Sequence, residues 1–387
     1  MTLTSKRLLF AGALFACILT GGAAQTARAP KGEYIAYVGT YTQPNKSKGI
    51  YAWRFRPDGG KLTAIGLVGE TPSPSFLAVH PNHKFLYAVN EISSYEGKRA
   101  GSVTAFAIDA GSGQLKLLNT VSSRGDGPCY LAVDPSGKWL YAANYGGGSV
   151  VEYPVHEDGS LGESSAFVQH SGSSVNRERQ EGPHAHATVF SPDGKSVFVP
   201  DIGLDRILSY KVGGLTPNDP PFTKVTPGAG PRHLAFTPNG RFAYVMMEMS
   251  VSVVAFRYDG SKLEELQTLP TAKVAANNDG VEVSGAEIAV HPNGKFVYSS
   301  TRGPNTIDVF AIDPAKGTLT PVQSSPSGGK IPRNFAIDPT GAYLFAANQN
   351  SDNIAIFRID GKTGKLTPSG NTLEAGAPVC VTFVPAQ

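Results

Sequence analysis

Cysteine is nearly missing from this 387-residue sequence, which has only Cys17, Cys129 and Cys380. So few thiols, at spacings that match no metal motif, exclude a disulfide scaffold and a cysteine-built zinc site. Charge is also sparse, at 17% of residues with a net of +3, and neither sign forms a run. That excludes the concentrated basic face of a nucleic-acid binder. No glycine-rich phosphate loop and no GxSxG nucleophile context occurs. Long hydrophobic runs are absent except for LLFAGALFACILT, Leu8 to Thr20, which is too short to span a bilayer as a lone helix.

That run follows Lys6 and Arg7 and precedes the small residues of GGAAQTARA. The order positive, apolar, small is that of a secretory signal peptide. Residues 1–29 are therefore expected to be a leader cut after Ala24 or Ala29, with export to a periplasm or beyond and no stable membrane span. Phe15 fits poorly beside Cys17 for a lipidated cysteine. After cleavage only Cys129 and Cys380 remain, expected as buried free thiols.

Turn formers are plentiful instead: 44 Gly and 29 Pro. They belong to a repeat. An apolar strand, a turn of Pro followed by a small polar residue and usually Gly, and a second apolar strand recur as FLAVHPNHKFLYAVN, YLAVDPSGKWLYAAN, ATVFSPDGKSVFVPD, HLAFTPNGRFAYVMM, EIAVHPNGKFVYSST and NFAIDPTGAYLFAAN. The turn prolines are Pro81, Pro135, Pro192, Pro238, Pro292 and Pro339, a period of roughly fifty residues and the scale of a propeller blade. A third strand such as SVTAFAID and a weaker fourth such as GQLKLLN complete each unit. The ends match: VCVTFVPAQ supplies a first strand, and EYIAYVGTY, GIYAWRF and KLTAIG supply the other three. Residues 30–387 are thus expected to form one all-β domain, a seven-bladed β-propeller of four-stranded blades. The C-terminal strand pairs with the N-terminal strands and closes the ring, leaving no open edge.

Counting from each turn proline aligns the blades. Six residues before it stand Ser75, Cys129, His186, Arg232, Ala286, Arg333 and Val379; ten after it stand Glu91, Tyr145, Ile202, Glu248, Arg302 and Gln349, with Tyr41 for the split blade. Both positions open on the same mouth of the ring. Departures from small or apolar residues gather in neighbouring blades as His186, Arg232, Glu248, Arg302 and Arg333, with His233, Glu287 and Asn334 one step further along. His184 lies in the approach to His186. Three arginines converging with a Glu and a His call for something anionic to offset them. Arginine suits carboxylate or phosphate and can stabilise oxygen charge in a transition state; His or Glu can activate water. Glu287 fits a site residue and an inter-blade strut equally well. Two histidines without a third spaced ligand do not make a zinc site, so neither metal nor cofactor is expected.

At YVGTYT, NEI, ANYGGGSV, ERQEGPHAH, VPDIGLDRILSY, GPRHLAF with Glu248 downstream, STRG around Arg302, and IPRNFAIDPTG, the chain resembles the seven-bladed propeller lactonases. These include propeller-type 6-phosphogluconolactonases and fungal carboxy-cis,cis-muconate cyclases. The resemblance spans the chain beyond the leader. It implies a catalytic set of His186, Arg232, Glu248 and Arg302, the positions that the blade register also selects. Arg333, His184, Arg179, Gln180, His233 and Glu287 are then expected to contact substrate, with Arg333 and the Arg179–Gln180 loop holding its anionic or polar end. The implied activity is hydrolysis of a sugar lactone, 6-phosphogluconolactonase-like. A cycloisomerase joining an unsaturated diacid to its lactone would use the same residues, and a secreted propeller that only binds protein or glycan is the non-enzymatic alternative. 6-Phosphogluconolactone is made in the cytoplasm, whereas this chain reads as exported; the expected partner is a small lactone or anionic sugar derivative.

Overall fold

Each turn proline closes a hairpin in the computed structural model, which describes residues 2, 32–44, 46–271 and 282–386. Seven four-stranded sheets result, so the expected seven-bladed propeller is what the chain forms. The first complete blade is Phe76–Val79, Phe85–Asn90, Ser102–Ile108 and Leu115–Ser122. The ring closes where Pro378–Pro385 lies antiparallel to Tyr34–Thr40, in register from Tyr34 opposite Pro385 to Gly39 opposite Cys380, then shifting past Val379 to put Thr40 opposite Pro378. The leader falls outside the described residues. Cys129 and Cys380 are buried and free, and burial pushes both thiols up, out of the range in which they could act as thiolates.

The turn chemistry is local and repeated. Asp134 Oδ1 accepts hydrogen bonds from Lys138 N at 2.8 Å and Trp139 N at 2.7 Å. Gly137 adopts φ 75°, and a Cβ there would meet the His80 ring at 2.5 Å. His80 Nε2 reaches the Gly137 carbonyl at 2.9 Å, clasping one blade to the next; His291 repeats this on Gly341 at 2.8 Å. Between blades the alternating apolar residues interlock. Phe55 packs edge-to-face on Tyr343 and Phe345, with ring centres 5.3 and 5.0 Å away. A fully buried ring of this kind contributes about 1.5–3 kcal/mol.

Two departures from regular strands bear on the mouth opposite the proline turns. Pairing skips Cys129, Arg232 and Arg333, and skips both Ala286 and Glu287. These are β-bulges, which break alternation and re-aim side chains. The third blade's first strand is only Val189–Phe190, although ATVF reads as a longer one. Upstream, the Asp201 carboxylate takes the backbone N–H groups of His184, Gly203 and Leu204, at 2.8, 3.0 and 3.2 Å. The backbone pairing persists beside it as the Ala185–Asp201 bridge, with the His186 N–H on the Pro200 carbonyl at 2.9 Å and the Ile202 N–H on the His184 carbonyl at 3.0 Å.

Candidate active site

Glu248 is the centre of the mouth. It follows Phe242–Met247, the second strand of its blade, and it is 4% exposed. Three guanidiniums converge on it: Arg179 at 2.5 Å, Arg302 at 2.9 Å and Arg232 at 3.0 Å. Arg179 comes from the loop before His184 and also reaches Glu282 at 3.3 Å. Burial alone would raise the Glu248 carboxyl, but Arg302, Arg232 and Arg179 overrule it and hold it at about 2. It is a fixed anion, unsuited to accept a proton near neutral pH. Burial and the neighbouring Arg302 charge push the Arg232 guanidinium down to about 10, still protonated at pH 7.

The arginines are braced by backbone. Arg232 donates to the Ala286 carbonyl at 2.6 Å and Arg302 to the Gly285 carbonyl at 2.9 Å. Both acceptors belong to the bulged strand Ser284–Val290, which is the next blade for Arg232 and the paired strand of its own blade for Arg302, so the bulge sets the spacing of the cluster. Nε of Arg232 and of Arg302 is buried without a hydrogen bond; the 3.0 Å approach of Arg232 Nε to Glu248 is an ion pair lying off the line a hydrogen bond needs.

His186 lies beside them, 4% exposed, its backbone N–H bonded to the Pro200 carbonyl at 2.9 Å. Burial first, then the positive charges of Arg232 and Arg333, drive its imidazole well below the usual 6.5. It is neutral at pH 7. Its Nδ1 is buried without a partner. His184 stacks on Tyr145 with ring centres 4.6 Å apart, and its Nδ1 is 3.0 Å from the Tyr145 carbonyl. His186 meets the edge of the same Tyr145 ring at 5.5 Å. The two histidines therefore face one side, with His186 deeper.

Arg333 stands on the other side of the mouth. Its guanidinium lies over the Tyr41 ring at 5.2 Å and 3.8 Å from Glu91 Oε2, beyond hydrogen-bond length. The Tyr41 hydroxyl bonds to that carboxylate at 2.9 Å. Of the four arginines this is the most loosely paired.

Gln180 and Glu287 are turned to structure. Gln180 donates to the Ile202 carbonyl at 2.8 Å and accepts from Asn176 N at 3.1 Å, pinning the Arg179 loop to the third blade. Glu287 joins His233 at 2.8 Å to Asn334 at 2.5 Å, linking three blades. Tyr145, Tyr41, Glu91 and Glu282 were not singled out from sequence. The first three sit at the register position ten residues past the turn, a signal that was available; Glu282 lies outside the repeat. The described residues contain no group of three His, Cys, Asp or Glu arranged to hold a metal ion. A surface cavity of about 580 Å³ opens at the far mouth among Gly32, Glu33, Arg56, Pro57, Asp58 and Thr340, but its Glu33 and Arg56 are spent on each other at 2.8 Å.

Known proteins share this arrangement of chain. The 6-phosphogluconolactonase of Bacillus subtilis (strain 168) is 35% identical over 306 residues, 78% of this chain and 84% of its own. That of Formosa agariphila is 35% identical over 307 residues, covering 78% and 85%. Among solved structures, the periplasmic gluconolactonase of Pseudomonas aeruginosa is 34% identical over 92% of this chain and all of its own, with a TM-score of 0.85. The family model described as "Lactonase, 7-bladed beta-propeller" matches residues 35–383, and the chain belongs to that family.

Proposed function

We propose that the mouth around Glu248 hydrolyses a sugar lactone, in the manner of a 6-phosphogluconolactonase. The observation that carries this is a buried neutral imidazole, His186, beside arginines locked in place by one fixed carboxylate. Lactone opening needs a base for water and positive charge for the carbonyl oxygen, and these two groups supply them. His186 takes a proton from water as its oxygen attacks the carbonyl carbon. Arg232 and Arg302 stabilise the oxygen charge that develops. The acyl–oxygen bond of the ring then breaks, and the imidazolium returns its proton to the ring oxygen that leaves. The product is the hydroxy acid, and His186 is neutral again.

Glu248 serves this chemistry as an anchor. Held at about 2, it cannot compete with His186 as the base, but it keeps Arg179, Arg232 and Arg302 within reach of one another. Arg333, the loosely paired guanidinium, is placed to take the far end of the sugar. An exported chain meets lactones outside the cytoplasm, where sugar phosphates are not made. The leader sequence and the likeness to a periplasmic gluconolactonase favour an unphosphorylated aldonolactone over its 6-phosphate.

The test is a panel of purified mature protein against glucono-δ-lactone, 6-phosphogluconolactone and muconate-type lactones, with released acid followed by pH-stat. Turnover of a sugar lactone above the spontaneous rate is expected, with the unphosphorylated compound preferred. Turnover of the muconate-type lactone alone would transfer the site to cycloisomerisation. No turnover of any would leave a binding platform.

A further inference from the structure

Polar atoms around His233 form a chain whose direction is fixed from the backbone outward. Val381 N donates to Asn334 Oδ1 at 3.0 Å. That sets the Asn334 amide, whose Nδ2 donates to Glu287 Oε2 at 2.5 Å. Ile288 N donates to Glu287 Oε1 at 2.9 Å. Glu287 receives at both oxygens, and against the burial that would raise it the adjoining His233 and Arg232 hold its carboxyl below the usual 4.5, so it is a carboxylate. His233 Nδ1 lies 2.8 Å from Oε1, so it must carry the hydrogen, because two acceptors would repel. Arg232 Nη1 stands 3.5 Å from the same Nδ1, a longer approach than the 2.8 Å of Glu287, and makes its short bond to the Ala286 carbonyl at 2.6 Å.

It follows that His233 Nε2 is a bare lone pair. It is buried and has no hydrogen-bond partner. The His186 ring lies edge-on to it, with centres 5.1 Å apart, and His186 Nδ1 is likewise buried and unpartnered. An acceptor without a donor thus stands beside a nitrogen able to donate, and with His233 held by Glu287 it is the His186 ring that turns about its Cβ–Cγ bond to bring Nδ1 toward it. Leaving both buried and unpaired is costly, which favours their meeting.

We propose that His233, oriented by Glu287 and Asn334, is a positioning residue that holds His186 in its Nδ1–H tautomer and leaves His186 Nε2 bare for the water. This rests on His186 acting as the base in the reading above. The groups facing His186 are the Arg232 and Arg333 guanidiniums, the Tyr145 ring and His233. Of these, His233 Nε2 is the buried, unpartnered nitrogen lone pair, and it is the group that selects the tautomer. As the imidazolium forms, its Nδ1–H already has an acceptor, so the transition state gains what the arginines deny. Nothing beyond the one proton taken from water and returned to the leaving oxygen is transferred.

The experiment is ¹⁵N-histidine NMR on the full protein at neutral pH, with His186 assigned by its loss in His186→Gln, alongside steady-state kinetics. The wild-type spectrum is expected to show neutral His186 protonated at Nδ1. Glu287→Gln, isosteric but with an NH2 that must face either Asn334 Nδ2 or the Ile288 N–H and His233 Nδ1, removes one of the two acceptors that fix the chain; it should weaken that preference and lower kcat about 100-fold, within the range for general-base catalysis, with KM nearly unchanged. His233→Phe keeps a ring against Phe76 and Tyr130 and should do the same. His186 protonated at Nε2 in the wild type would overturn the proposal, as would an unchanged tautomer and kcat in either folded variant. The wild-type spectrum decides even where a variant fails to fold, and it does so independently of which lactone, or whether any, is turned over.

Discussion

Replacing Glu248 by Gln removes one negative charge from the meeting point of Arg179, Arg232 and Arg302 and changes little else in shape. The folded protein holds this carboxyl at about 2 against an ordinary 4.5. At about 1.4 kcal/mol per pH unit, that difference is worth ~3 kcal/mol, and the group is buried enough to need no discount for solvent screening. A depressed carboxylate pKa contributes its full stability above pH 4.5 and loses it as pH falls through 4.5 towards 2. Glu248→Gln should therefore melt several degrees below wild type at pH 7, and the gap should narrow as both are taken to pH 3. The arginines left without a counter-ion should also separate, so kcat falls together with stability. Differential scanning fluorimetry across pH 3–7, with lactone turnover at pH 7, measures both. A variant as stable as wild type at pH 7, or a gap that stays constant down to pH 3, would refute the assignment of Glu248 as the charge that assembles the mouth.

Arg302→Lys keeps the charge but loses the guanidinium whose Nη2 meets both Glu248 and the Gly285 carbonyl, leaving its other nitrogens for the substrate; kcat should drop on the order of 10²–10³-fold while circular dichroism stays unchanged. His186→Gln should lose most of the rate, whereas His184→Gln, removing a ring stacked on Tyr145, should chiefly raise KM. Because His186 sits well below 6.5, the acid limb of the kcat/KM profile should fall well below pH 6.5, where the base protonates; a limb at or above 6.5 would exclude it as the base. N-terminal sequencing of protein from cell fractions should find chains beginning after Ala24 or Ala29, and an intact Met1 on soluble protein would contradict export.

Blade number and ring closure could be read from sequence because the turn residues are chemically forced. The proline of each hairpin and a glycine at positive φ, as at Gly137, leave a countable mark. The same count placed His186, Arg232, Glu248 and Arg302 at one mouth. The bulges left no such mark. Arg232 and Arg333 are extra residues in their strands, and nothing in PRHLAF or PRNFAI distinguishes a bulge from a regular strand. Strict alternation would have sent Arg232 and His233 to opposite faces, yet the bulge buries both in one cluster. Gln180, expected from the sequence among the substrate contacts, has its amide on the Ile202 carbonyl and Asn176 N. Loop hydrogen bonding of that kind depends on the path of the chain, which composition does not encode. Glu282 was invisible for a similar reason, meeting Arg179 across 103 residues of sequence.

Whether this mouth opens lactones is tested most directly by acid release from glucono-δ-lactone at pH 7, measured by pH-stat for wild type and His186→Gln side by side. Wild type should exceed spontaneous hydrolysis, and His186→Gln should lose on the order of 10²–10⁴-fold of that enhancement, the usual worth of a general base. A wild type no faster than the uncatalysed reaction, or a His186→Gln variant as fast as wild type, would contradict the assignment.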